Sequence, residues 1–460
     1  METHPDIDHL VRRQHDYFKS AATQGYGFRI AQLQRLRQGL KRFEQRFSRA
    51  LKQDLGKSEA EAYITETGLV LHELGDTLKQ LKRWMKPKRV VTPFYLQPAA
   101  SRILYTPLGV NLIISPFNYP IALTFMPLIA ALAAGNTAVL KTSELTPACS
   151  KAIQTLIQES FDPAYVAYVP GAVPETSQLL KQRFDHIFFT GSPHVGRIVM
   201  EAAAQHLTPV TLELGGKSPC IVHSDAKLQI AARRIVYGKM INAGQTCIAP
   251  DYVLVHQPVK EQLLGLLKAR ILDLYGENGA SFPDYGRIVN EDHFRRLAAL
   301  MDPEKIVVGG RVDPALRYIA PTVMRDVTLK DKVMSEEIFG PILPVLEYDQ
   351  LDDALDTIAQ LPRHPLAGYI FSESKAVQQA LLSKIQFGGG CINHSIQHFV
   401  NPHLPFGGVG NSGIGSYHGF HGFARFSHKK SVLKAASWLD LPLIYPPYGK
   451  KIKLLRKILK

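Results

Sequence analysis

Between residue 109 and about residue 371, short apolar runs alternate with stretches long enough to be helices. The runs fall at 109–115, 137–141, 164–169, 186–189, 210–214, 219–222 and 251–255. Runs of this length, rich in β-branched and other apolar residues, suit strands. Strands separated by helical crossovers pair in parallel, so the chain is expected to be an α/β protein built on parallel sheets.

Before this region, Leu33, Leu36, Leu40, Phe43, Phe47 and Leu51 recur at steps of three and four, which predicts a long amphipathic helix. A second helical stretch is expected over 61–84. The net charge of +14 concentrates at the ends: residues 1–100 hold 18 Lys and Arg against 11 Asp and Glu, and residues 441–460 hold 6 against none. The body is therefore nearly neutral, and no aromatic residues interleave with the basic positions for base stacking, so no nucleic-acid partner is expected. The four cysteines, Cys149, Cys220, Cys247 and Cys391, have neither metal-site spacing nor disulfide-scaffold density and suit a reducing compartment. The first residues, Met1 to Pro5, carry no apolar core of a signal segment, and a cytoplasmic protein is expected. The longest apolar run, 120–134, contains Pro127 and falls short of the roughly 20 residues that span a bilayer.

Near the C-terminus, 388–415 is rich in glycine and reads as loops and an exchanged arm. The last residues, 450–460, place Ile452, Leu454, Leu455, Ile458 and Leu459 on one helical face and Lys453, Arg456, Lys457 and Lys460 on the other. That pattern suits either a peripheral membrane contact or a frayed soluble tail.

Asn118, Lys141, Gly191, Glu213 and Cys247 are expected just after strands, where open α/β sheets hold ligands. Cys247 follows Gly244, which is expected to stop the preceding helix; a small core residue and a reactive thiol both fit. Glu213 precedes Gly215-Gly216 and is either a surface acid before a turn or a buried carboxylate with a raised pKa. Asn118 could close an Asx-turn, and Lys141 could be a solvated lysine.

The strings Phe189-Thr190-Gly191-Ser192, Glu213-Leu214-Gly215-Gly216-Lys217-Ser218-Pro219, Gly244-Gln245-Thr246-Cys247 and Glu336-Glu337-Ile338-Phe339-Gly340-Pro341 together resemble the aldehyde dehydrogenase superfamily. Glu61-Ala62-Tyr63, Ile248-Ala249-Pro250-Asp251-Tyr252, 404–410 and Ser416-Tyr417-His418-Gly419 resemble its class three branch, which includes fatty and aromatic aldehyde dehydrogenases. The resemblance implies a Rossmann-like NAD-binding domain (1–90 and 107–212), an α/β catalytic domain (213–395), and a small bridging and oligomerisation element (91–106 and 396–440) supporting a homodimer. A basic amphipathic tail would occupy 441–460. It implies Cys247 as nucleophile, Asn118 as oxyanion donor and Glu213 as the base that activates water. It further implies Lys141 and Glu144 at the adenosine ribose, Gly191, Ser192 and Gly196 at the pyrophosphate, and Glu337 and Phe339 at the nicotinamide. The cofactor would be NAD or NADP and the substrate a medium- or long-chain aliphatic or aromatic aldehyde. Glu213 argues against an enzyme releasing acyl-CoA, which lacks this base, and the set Cys247, Glu213, Asn118 and Lys141 argues against a non-catalytic homologue. No metal site is expected of His394, His398, His403, His418, His421 and His428, which lack ligand spacing.

Overall fold

Two largely parallel sheets follow one another along the chain, and Glu213 ends the last parallel strand of the first, just before the segment that leads to the second. In the computed structural model, residues 6–276 and 282–459 are described; the readings of Met1 to Pro5 and of Lys460 lie outside them. The first sheet runs Val210–Glu213, His186–Thr190, Val110–Ile114, Thr137–Lys141, Val166–Tyr168, all parallel, with Gly413–Ile414 added antiparallel beside Val210–Glu213. The second runs Ile306–Val308, Thr322–Met324, Ile342–Tyr348, Tyr252–His256, Pro219–Val222, Ala367–Phe371, Gly389–Ile392, parallel except at its first strand. A third, antiparallel sheet joins Lys88–Val90, Ala99–Pro107 and Ser427–Ala435. These are the parallel α/β sheets that the alternation of runs and helical stretches led one to expect.

The helix Tyr26–Leu55 buries Leu33, Leu36, Leu40, Phe43, Phe47 and Leu51 and ends at Gly56, whose φ of 69° is left-handed. It packs against Pro147–Ser160 and Ala122–Ala134. Every residue of Ala122–Ala134 is buried, Pro127 included. The long apolar run is thus a helix with core on all sides. No helix among the described residues is long and apolar enough to cross a membrane. The stretch 61–84 resolves into Glu59–Ala62, a π-helical turn at Tyr63–Thr67, and Gly68–Trp84.

The glycine-rich stretch departs from the loop reading. Gly389–Ile392 is a strand at the edge of the second sheet, with Gly368 facing Gly390 across the ladder. A Cβ on Gly390 would collide with the Gly368 carbonyl, and one on Gly368 with the Phe387 ring. Glycine at both positions allows two strands to approach closely beneath an aromatic ring, a use that composition does not distinguish from loop flexibility.

Candidate functional site

Glu213 ends its strand fully withdrawn from water, and neither carboxylate oxygen has a hydrogen-bond partner. Burial drives its pKa well above the ordinary value, partly opposed by the Arg425 guanidinium. Of the two readings left open by the sequence, the buried acid is the one observed.

Cys247 departs from the after-strand pattern. It lies in the connection between the helix Leu228–Met240 and the strand Tyr252–His256, ahead of that strand. The helix also ends before Gly244: Asn242 and Ala243 take left-handed φ values of 54° and 50°. Gly244 continues the turn at φ 74°, where a Cβ would strike the Gly340 carbonyl. The cysteine loop is therefore pressed against the Gly340–Pro341 turn. Cys247 is half-buried, and its thiol pKa is pushed up by burial and by the carboxylates of Glu337 and Glu213. The backbone N–H groups of Cys247 and Ile248 act in the opposite direction.

Asn118 is 3% exposed, and its side-chain amide donates to the Gln245 carbonyl across 3.0 Å. Its own carbonyl accepts from Lys57 Nζ (3.1 Å) and from the Asn242 side chain (2.8 Å). Lys57 in turn donates to Glu66 at 2.7 Å, both fully buried, and the other Glu66 oxygen accepts from the N–H groups of Ile121 and Ala122. Sequence reading missed Lys57, Glu66 and Asn242. Each sits in a helical or turn segment with nothing in its spacing to announce a buried polar network; the one available signal is a Lys and a Glu nine residues apart in an otherwise amphipathic region.

The first sheet lines up the expected cofactor residues at strand ends. Lys141 closes its strand almost fully buried, donating to the Thr142 carbonyl at 2.6 Å and lying 3.8 Å from the exposed Glu144. Burial lowers its pKa, and Glu144 opposes this. Ser192 caps the helix Pro193–Ala204, its hydroxyl accepting from Val195 N–H at 3.3 Å. The N–H of Gly191 is taken by the Glu213 carbonyl (3.0 Å) and that of Gly196 by Ser192 (2.9 Å). Both N–H groups are thus engaged within the chain, and both glycines keep the backbone close to neighbouring side chains. A Cβ at Gly191 would press on the Phe189 ring, and one at Gly196 on Leu214 at 2.8 Å. The open strand end, the helix N-terminus and the nearby ammonium fit a dinucleotide.

Glu337 is half-buried with its carboxylate against Gly215, where any Cβ would collide with it. Burial, and then the nearby Asp251, push its pKa up to about 8. Phe339 takes a left-handed φ of 52° and packs edge-on to Phe117, ring centroids 5.8 Å apart. The structure thus brings Glu213 and Glu337 within electrostatic reach of Cys247, with Asn118 hydrogen-bonded to Gln245, two residues before the cysteine; Lys141 closes another strand of the first sheet, with Glu144 three residues on.

Among the described residues, no group of three or more His, Cys, Asp or Glu could hold a metal. His398 and His418 are buried against Phe399 and Phe406, and burial lowers their pKa values to about 4 and about 3.

Residues 1–432 match the model of the aldehyde dehydrogenase family. The chain is 47% identical to the 4,4'-diaponeurosporen-aldehyde dehydrogenase of Staphylococcus aureus, over 96% of this chain and 97% of that protein. It is 45% identical to the dimeric NADP-preferring aldehyde dehydrogenase of Rattus norvegicus, over 93% and 94%. The solved structure of the substrate-bound state of Staphylococcus aureus AldH superimposes with a TM-score of 0.97 at 46% identity, covering 99% of both chains. With the strand-end site and these likenesses together, the chain belongs to the aldehyde dehydrogenase family, its class three-like branch, and is an NAD(P)-dependent oxidoreductase that converts aldehydes to carboxylic acids.

Proposed function

We propose that Cys247 attacks the aldehyde carbon, that Asn118 and the Cys247 N–H hold the resulting oxyanion, and that Glu213 activates the water that releases the acid. The observation carrying this reading is the buried Glu213 carboxylate, both oxygens without a hydrogen-bond partner, electrostatically coupled to Cys247 in the loop that precedes the strand Tyr252–His256. Such a carboxylate is costly to bury unless it has a proton to accept. Attack by sulfur gives a tetrahedral thiohemiacetal, whose oxygen carries the negative charge that the two donors stabilise. When bound, the nicotinamide cofactor supplies the hydride acceptor. Loss of hydride from the tetrahedral carbon leaves a neutral thioester on Cys247. Glu213 takes a proton from water, the hydroxide adds to the thioester, and the Cys247 thiolate leaves as the carboxylic acid forms.

For the cofactor we propose Lys141 and Glu144 at the adenosine ribose, Ser192 with the space made by Gly191 and Gly196 at the pyrophosphate, and Glu337 with Phe339 at the nicotinamide riboside. A carboxylate at Glu144 disfavours a ribose 2′-phosphate, yet its exposure weakens that effect, so both NAD and NADP are expected to serve. The domain division proposed is the one above: dinucleotide-binding over 1–90 and 107–212, catalytic over 213–395, bridging over 91–106 and 396–440. The substrate proposed is a medium- or long-chain aliphatic or aromatic aldehyde, supported by the long-chain substrate that the name of the staphylococcal relative carries. A panel of such aldehydes assayed for NADH and NADPH formation, with Cys247→Ala as control, tests this; signal independent of Cys247 would overturn it.

A homodimer is proposed on the strand Ser427–Ala435, exposed at eight of its nine positions with one edge unpaired. Sedimentation equilibrium would read its mass. Cytoplasmic residence is proposed on the four unpaired cysteines. For peripheral membrane contact the support is the short helix Ile452–Ile458, with Ile452 and Leu454 about half exposed beside Lys453, Arg456 and Lys457. Truncation before residue 450 would abolish co-sedimentation with anionic vesicles if the tail makes that contact, and unchanged sedimentation would remove it.

A further inference from the structure

Three loops that bear the proposed chemistry meet at one buried ion pair that the reaction itself does not use. Lys217 stands four residues after Glu213, and Asp251 four after Cys247; both side chains are withdrawn from solvent. Lys217 Nζ donates to Asp251 Oδ2 at 2.5 Å, to the Glu336 carbonyl at 2.8 Å and to the Val333 carbonyl at 3.2 Å. The remaining Asp251 oxygen accepts from Ile338 N–H at 2.9 Å. Asp251 N–H donates to the Ser218 carbonyl at 2.8 Å, tying the cysteine loop to the loop after Glu213. From the outer side, Arg296 donates to the Ile338 carbonyl (2.6 Å) and to the Glu336 side chain (2.9 Å).

The backbone on both sides of Glu337 is therefore gripped, while its own carboxylate is left to lie against Gly215. A buried ion pair adds little stability over well-packed apolar residues, because desolvation offsets the attraction. All three ammonium donors and both carboxylate oxygens here are committed, and three of these bonds go to the 333–338 backbone. What the pair does beyond packing is to fix that segment relative to Cys247 and Glu213.

We propose that Lys217 and Asp251 are positioning residues for the cofactor, a clamp that holds the Glu337 loop in register with the Cys247 loop. This rests on the reading of Glu337 as a nicotinamide-side ligand. A displacement of about 1 Å at a reacting centre can cost as much as a hundredfold in rate, so loosening the clamp has a measurable consequence.

The test compares Asp251→Asn, the double variant Lys217→Met/Asp251→Leu, and Glu337→Gln in the full chain, measuring KM for NAD and NADP, KM for aldehyde, and thermal midpoint. Asp251→Asn keeps the size of the side chain, and the double variant replaces the pair with apolar groups of similar volume in case the single change does not fold. The clamp predicts that cofactor KM rises about tenfold or more in the pair variants, while aldehyde KM stays near that of the parent. A purely structural role would lower the thermal midpoint and the active fraction and leave both KM values alone. Cofactor KM raised in Glu337→Gln and unchanged in the pair variants would overturn the clamp by itself. Unchanged cofactor KM in Glu337→Gln would overturn the reading of Glu337, and the proposal with it.

Discussion

The Asn118 side-chain amide donates to the Gln245 carbonyl across 3.0 Å, which fastens the loop after the strand Val110–Ile114 to the loop that carries Cys247. Each sheet thereby contributes one half of the proposed oxyanion site, and the two halves are joined by side-chain chemistry as well as by packing. With substrate present, the same amide would exchange a carbonyl for a developing oxyanion, an acceptor that binds it more strongly. Asn118→Ala is expected to lower kcat by about a hundredfold or more with little change in aldehyde KM. Steady-state kinetics would check it, and normal turnover would remove Asn118 from the site.

Glu213→Gln separates the two chemical steps. In the proposed reaction, thioester formation needs no base at that position, whereas hydrolysis does. A rapid-mixing assay is expected to give a burst of reduced cofactor approaching one equivalent per Cys247, followed by slow turnover. Loss of the burst would mean that Glu213 acts earlier. In the proposed reaction both Cys247 and Glu213 act in their deprotonated forms, and both pKa values are raised, so turnover of the parent is expected to climb from pH 6 to pH 9.

Stability is expected to move the other way with pH. Glu337 and Glu73 have pKa values raised from 4.5 to about 8 and about 7, chiefly by burial. Between those limits the folded chain holds protons that the unfolded chain has released. Their contribution to stability is complete below about pH 4.5 and is lost as pH rises through 7 to 8. Thermal midpoints measured from pH 5 to pH 9 should fall over this window, and Glu337→Gln should flatten the fall at its upper end. A midpoint that rises steadily to pH 9 would contradict both assignments.

Gly390→Ala forces a methyl group onto the Gly368 carbonyl in the parallel ladder. The cost expected is about 1–3 kcal/mol, as for other overpacked interiors. Chemical denaturation would read it, and a neutral result would mean that the edge strand shifts freely. Gly75→Ala, at a helical position with open space around it, serves as the control and is expected to be neutral or stabilising.

The sequence by itself determined the α/β architecture and supplied the candidate reactive groups. Apolar runs of strand length, separated by helical stretches, require parallel ladders, and Thr137–Lys141 and Pro219–Val222 fall where the runs place them. The six apolar positions of the first long helix are all buried for the same reason: period 3.6 is a property of the chain. The motif around Cys247 and Glu213 also reads locally. What a local pattern cannot hold is a contact between segments far apart in the chain. Gly390 looks like loop glycine until Gly368 is laid beside it, and Gly244 looks like a helix stop until Gly340 crosses behind it. Lys57 and Glu66 look solvated until Asn118 and the start of Ala122–Ala134 enclose them. In each case tertiary structure decided the role, because burial and close approach are set by the residue on the other side, and the chain does not list that residue nearby.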